Sequence, residues 1–163
     1  MEVKTTRFGT IEIEEDKIIS FTQGILGFPN ERKYILFPHK NSKIFFWLQS
    51  IERPELAFVC IDPFLVKPDY EFEIPDRIEK ELDIKDPSEV NVITLVTIPN
   101  RTNKEELITV NLLGPIVVNA KTKLARQIVL DPNKYQVDYP IGTLPPIQQI
   151  KEHDLKKQAA QCS

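Results

Sequence analysis

Through the first half of the chain, apolar and polar residues alternate in runs of four to eight, the pattern of strands with one buried face. Thr10-Ile11-Glu12-Ile13-Glu14 alternates at every step, and Lys17-Ile18-Ile19-Ser20-Phe21 follows the polar pair Glu15-Asp16, which predicts a hairpin. Further strands are predicted over 34–37, 44–49, 56–61 and 70–74, each bounded by Pro, Asn, Asp or Ser. One helical pattern interrupts them: Ile78 and Leu82 share a face at i and i+4 over 77–82, with Asp76 placed to cap the segment and Asp86-Pro87 to end it. A β-branched strand over 90–98, a turn over 99–103 and a strand over 107–112 predict a second hairpin, followed by extended runs over 115–120 and 125–130. About ten short strands without crossover helices between them predict a mainly β fold, an antiparallel barrel-like or sandwich domain with one or two short helices.

Composition sharpens this picture. With 163 residues, 41% hydrophobic and 28% charged, the chain has the size and balance of one soluble domain, and 13 Pro against 5 Gly exclude a long helical bundle and collagen alike. Residues 1–142 form the predicted domain; from Asp131 prolines accumulate, and 143–163 is expected to be a polar, mobile tail. No apolar run reaches the ~18 residues of a membrane span, and Met1-Glu2-Val3-Lys4 does not open a signal peptide, so the expected location is the cytoplasm and no membrane partner is expected. Cys60, inside Ala57-Phe58-Val59-Cys60-Ile61, reads as a buried small hydrophobe and Cys162 as part of the tail, both free thiols.

The formal charge is only −3, but residues 67–89 hold nine Asp or Glu and four Lys or Arg. That balance argues against direct nucleic-acid binding, which needs concentrated Lys and Arg, and permits a basic protein partner. Alternation places Asp69, Glu71 and Glu73 on one face and Tyr70, Phe72 and Ile74 on the other. The acidic face reads either as a solvated surface or as a docking surface that speeds encounter with a basic partner. Three adjacent like charges suit neither the acid nor the base of a glycosidase. His39 and His153 stand 114 positions apart with no ligand at zinc spacing, so no metal and no cofactor is expected. Ser20, Ser42, Ser50 and Ser88 lie at strand ends or turns outside any Gly-x-Ser-x-Gly, and no catalytic residue is assigned. His39 is expected to be a solvated loop residue, and Ile44-Phe45-Phe46-Trp47-Leu48 a core strand buried on both faces. The loop around Ile25, Leu26 and Phe28 reads either as an apolar binding surface or as a plug for one end of a barrel.

Taken in order, several segments resemble the FliW family of flagellar assembly factors: Phe8-Gly9-Thr10-Ile11; Ile18-Ile19-Ser20-Phe21 leading to Gly24-Ile25-Leu26-Gly27-Phe28; Phe46-Trp47-Leu48-Gln49-Ser50; and Leu56-Ala57-Phe58 with Asp62-Pro63. The pattern continues through Tyr70, Asp86-Pro87-Ser88-Glu89-Val90, Thr109-Val110-Asn111-Leu112-Leu113-Gly114-Pro115-Ile116 and Gln127-Ile128-Val129-Leu130. The resemblance implies a non-catalytic, monomeric cytoplasmic protein that binds flagellin and, alternatively, the RNA-binding translational repressor CsrA, relieving repression of flagellin translation. On this reading Asp69, Glu71 and Glu73 meet CsrA, and Ile25, Leu26 and Phe28 meet flagellin. A second reading is a general chaperone or binding module for another secreted subunit.

Overall fold

The structure is a computed structural model that describes residues 1–99 and 107–142. The expected tail over 143–163, with His153 and Cys162, and all but Pro99 of the expected turn over 99–103 lie outside the described residues. The elements run β1 (Glu2–Thr5), β2 (Gly9–Glu12), β3 (Ile19–Phe21), β4 (Lys33–Pro38), β5 (Phe46–Ser50), β6 (Ala57–Ile61), α1 (Pro63–Val66) and α2 (Asp76–Glu81). They continue with β7 (Val90–Thr97), β8 (Ile108–Val110), β9 (Ile116–Asn119), β10 (Leu124–Gln127) and β11 (Tyr139–Gly142).

Seven strands close into a barrel in the order β7-β6-β5-β4-β3-β10-β9, because β9 returns to pair with β7. All of these pairings are antiparallel except β3 with β10, where Ser20 faces Leu124 and Phe21 faces Ala125. The long β7 has two partners along one edge: Val90–Ile93 pair with β9, and Val96 and Thr97 pair with β8, which carries β11 on its far side. The barrel interior is filled by alternate residues of every strand: Ile19, Phe21, Tyr34, Phe46, Leu48, Cys60, Ile93, Ile116, Val118 and Ala125.

Three apolar clusters wrap the outside of the barrel. Val3 and Ile13 of the N-terminal segment cover Ile35; Ile78 and Leu82 of α2 cover Val117 and Ile128; Tyr70 lies with Ile61, Ile108, Val110 and Leu112. The wrapping is why β9 is buried at every position: Ile116 and Val118 point inward, while Val117 is covered by α2. Helix α2 ends as Asp83 adopts a left-handed φ of 55°, and the Asn119 amide donates to the freed carbonyls of Leu82 (2.8 Å) and Asp83 (3.2 Å).

Several expectations change. The predicted hairpin of 10–14 with 17–21 does not form. Instead β2 pairs with β1, Val3 opposite Ile11, while a 3-10 turn over Glu15–Lys17 carries the chain into the barrel, where β3 joins β4 and β10. Alternation fixes which face is buried but not the partner, and the short β1 was not predicted. Residues 70–74 keep the predicted alternation of exposed and buried side chains but have no ladder partner and are not a strand. Asp76 is the first residue of α2 rather than its cap, Pro75 standing at that position. Within the predicted core strand, Phe45, Phe46 and Leu48 are buried, whereas Trp47 is only half-buried.

Among the described residues two buried polar side-chain atoms, the Tyr34 hydroxyl and Gln49 Oε1, lack a hydrogen-bond partner, and removal of the first is informative. Tyr34 is fully buried, burial drives its pKa far up, and its hydroxyl has no hydrogen-bond partner among the described residues. Tyr34→Phe is expected to be neutral or to stabilise the fold by up to about 1 kcal/mol in urea denaturation; a loss of stability would reveal a partner for the hydroxyl.

Candidate functional site

The acidic segment that follows α1 is held in a fixed shape without any sheet. Asp62 caps α1, its carboxylate accepting from the Phe64 amide at 2.9 Å with Pro63 at the first helical position. The chain then turns as the Tyr70 amide donates to the Lys67 carbonyl at 2.9 Å. The Tyr70 ring is buried and its hydroxyl donates to the Leu112 carbonyl at 2.6 Å, while the Tyr135 hydroxyl donates to the Glu71 carbonyl, also at 2.6 Å. The two rings meet edge to face at 4.9 Å. Burial, and secondarily Tyr135, pushes the Tyr70 pKa far up, so this phenol is a fixed donor.

With the apolar side tied down, Asp69, Glu71 and Glu73 face solvent together, as alternation predicts. They are not equivalent. Asp69 pairs with Lys67 at 3.2 Å, and that hydrogen bond raises the lysine pKa; Glu71 and Glu73 make no ion pair among the described residues. Asp76 and Glu79 on α2 are likewise exposed and without an ion pair among the described residues. The net negative charge of 67–89 therefore gathers on one side of the barrel, displayed by the acidic segment and α2. Two open concavities border it. One of about 460 Å³ is floored by Val90 and Val92, and one of about 580 Å³ includes Glu71, Glu73, Asp131 and Lys134.

The second candidate site divides its residues between core and surface. Gly24 is required by close approach: a Cβ there would lie 2.4 Å from the Phe28 carbonyl oxygen. The tight turn that results, with Phe28 N–H donating to the Ile25 carbonyl at 2.7 Å and Gly27 at φ +92°, drives Ile25 into the barrel interior. Ile25 is 1% exposed and Leu26 63% exposed. Phe28 is half-buried, its ring edge-on to Phe58 at 5.2 Å. The expectation that all three present one apolar surface is corrected: Ile25 is a core residue, and Leu26 is the side chain on offer. Gln127 braces the loop, accepting from the Leu26 amide and donating to the Gly114 carbonyl, each at 3.0 Å. The sequence gives no sign that Tyr135 ties Glu71 or that Gln127 braces the Leu26 loop, because each acts on a segment far away in the chain.

The remaining polar chemistry is structural. His39 stacks on Trp47 at 5.3 Å rather than standing free in solvent, its Nδ1 accepts from the Asn41 amide, and burial lowers its pKa. The Arg7 guanidinium lies over the same indole at 4.7 Å. Ser42 and Ser50 hydroxyls accept from turn amides. Among the described residues no group of three or more His, Cys, Asp or Glu is placed to hold a metal ion, and no helix is long and apolar enough to cross a membrane.

Comparison with known proteins decides what this barrel is: the sequence profile of the family described as FliW protein matches residues 2–141. The chain belongs to the FliW family of flagellar assembly factors. It is 44% identical over 138 residues to the flagellar assembly factor FliW of Ruminiclostridium cellulolyticum, a match covering 84% of this chain and 91% of that one. The FliW of Treponema denticola is 40% identical over 141 residues, 86% of this chain and 93% of the relative. A crystal structure of the flagellar assembly factor FliW superposes with a TM-score of 0.76 at 32% identity, covering 86% of this chain and 96% of that one. The FliW match ends at Ile141, inside β11.

In this FliW domain α2 is fastened to the barrel by a partly buried pair. Glu81 takes two hydrogen bonds from Arg126 on β10, at 2.8 and 2.9 Å, and one from the Thr22 hydroxyl at 3.0 Å. The Arg126 hydrogen bonds hold the Glu81 carboxyl below its ordinary 4.5. A carboxyl pKa lowered by folding adds stability above the ordinary value, and that stability is lost as pH falls through the lowered one. Glu81→Gln is expected to cost about 1 kcal/mol at pH 7 in urea denaturation, and the gap to wild type should close as pH drops below about 4.5; a gap independent of pH would place the loss in packing.

Proposed function

We propose that this FliW protein is a cytoplasmic, monomeric, non-catalytic regulator that binds flagellin and, alternatively, the translational repressor CsrA, so that flagellin occupancy frees CsrA and CsrA capture relieves repression of flagellin translation. The observation that carries the reading is the pair of exposed carboxylates Glu71 and Glu73, which make no ion pair among the described residues, on a backbone already fixed by the Tyr70 and Tyr135 hydroxyls. A preformed acidic surface meets a basic partner without the cost of ordering its own chain. CsrA grips RNA and is therefore a partner of the required sign. The exposed Leu26 on its braced loop supplies the apolar contact for flagellin. Two ligands drawing on one pool of protein switch each other by mass action alone, with no turnover.

Titrating flagellin into a preformed complex with CsrA is expected to release CsrA; a stable ternary complex would defeat the switch. Reversing charge in the double variant Glu71→Lys and Glu73→Lys should weaken CsrA binding by about tenfold or more and flatten its salt dependence, while an unchanged salt profile would remove both residues from the interface. Leu26→Asp should weaken flagellin binding by about tenfold and leave CsrA binding intact; equal loss for both partners would mean the loop serves the fold instead.

A further inference from the structure

The apolar side of the acidic segment does more than anchor it. Phe72 and Ile74 of that segment, Ile84 beyond α2, and Val90 and Val92 on the outer face of β7 line one open groove of about 460 Å³. All five are only half-buried, and Phe64 of α1, at the same groove, is 40% exposed. Isolated exposed apolar side chains are ordinary; a contiguous set in a concavity within the 300–1,000 Å³ range of ligand sites is not.

The rim of the groove carries a definite sign. Glu71, Glu79 and Asp86 border it with one base, Lys85, which is engaged by Asp83 at 3.0 Å. Glu71 and Glu79 have no ion pair among the described residues. Asp86 accepts from the Ser88 amide at 2.9 Å, and that bond holds its carboxyl below the usual range, so it stays charged. An apolar floor inside an acidic rim repels nucleic acid, anionic lipid and a second copy of the same face. It fits side chains that are apolar at the centre of a segment and cationic at its edges, since Lys and Arg lay their aliphatic stems along apolar surface and hold their charge at the rim.

We propose that this groove is a docking site for an amphipathic segment of a protein partner, with two or three apolar side chains seated on Val90, Val92, Phe72 and Ile84 and with Lys or Arg side chains reaching Glu71, Glu79 and Asp86. The inference deepens the reading of the acidic segment as a CsrA-facing surface and rests on it for the partner's name, though not for its chemistry. It makes the contact one of desolvated apolar anchors framed by charges, so that high salt weakens binding without abolishing it.

The test is amide chemical-shift mapping of the full chain with a synthetic peptide of about 14 residues, Leu and Lys at helical spacing, beside a control peptide with Glu for Lys. The expected result is saturable shifts over 71–74 and 84–92 with the Lys peptide and none with the Glu peptide. Phe64→Gln, whose spectrum outside the groove should match wild type, should weaken the Lys peptide by about tenfold. Shifts centred elsewhere, equal binding of both peptides, or an indifferent Phe64→Gln would overturn the proposal. Purified CsrA is then added to the peptide complex: displacement ties the regulator to the groove. CsrA that binds without displacing the peptide, or does not bind, removes the regulator from this face, and the peptide data alone then decide whether the groove docks a basic segment.

Discussion

Closure of the barrel through β7 and β9 is the constraint on which the rest of the molecule depends. Val90–Ile93 accept β9 along the edge that, three residues further on, carries β8. One strand thus both shuts the barrel and carries the β8–β11 extension, leaving neither end of the barrel sheet open to another chain. The cost is a sharp corner between β8 and β9, whose polar groups need partners. Asn111 donates its amide to the Leu95 carbonyl and accepts from the Gly114 amide, Thr94 donates its hydroxyl to the Asn111 carbonyl, and Tyr70 donates to Leu112.

That corner links the fold to the function proposed for it. Tyr70 satisfies a carbonyl of the corner and in the same act pins the segment that carries Glu71 and Glu73. A segment of alternating acidic and aromatic residues would be costly to hold extended without a ladder. Here the buried face supplies the energy, as Tyr70 packs against Tyr135 and Phe72, and the Tyr135 hydroxyl replaces the missing strand partner at Glu71. The charged face is left free because the other face does the anchoring.

The Leu26 loop solves the opposite problem. Its two glycines permit a turn tight enough to send Ile25 inward, and burying one isoleucine contributes roughly 2 kcal/mol toward fixing a loop that would otherwise be mobile. Leu26 is consequently exposed on a rigid support, a better contact for a partner than a flexible loop of the same composition.

Read alone, the sequence determined a great deal that rests on local chemistry. Period-two alternation marked most strands and the two faces of 69–74, and the i, i+4 pair Ile78 and Leu82 marked α2, because side-chain direction follows from backbone geometry within a few residues. The ordered set of short motifs identified the family. Tertiary structure alone decided which strands pair: β2 took β1 rather than β3, and 70–74 took no partner, since alternation is the same whichever edge lies beside it. It also decided that Ile25 belongs to the core and Leu26 to the surface, that Tyr135 reaches Glu71 from 64 positions away, and that Asp69 is paired while Glu71 and Glu73 have no ion pair among the described residues. Those outcomes depend on distances between segments that closure of the barrel brings together, and no local pattern in the chain encodes such distances.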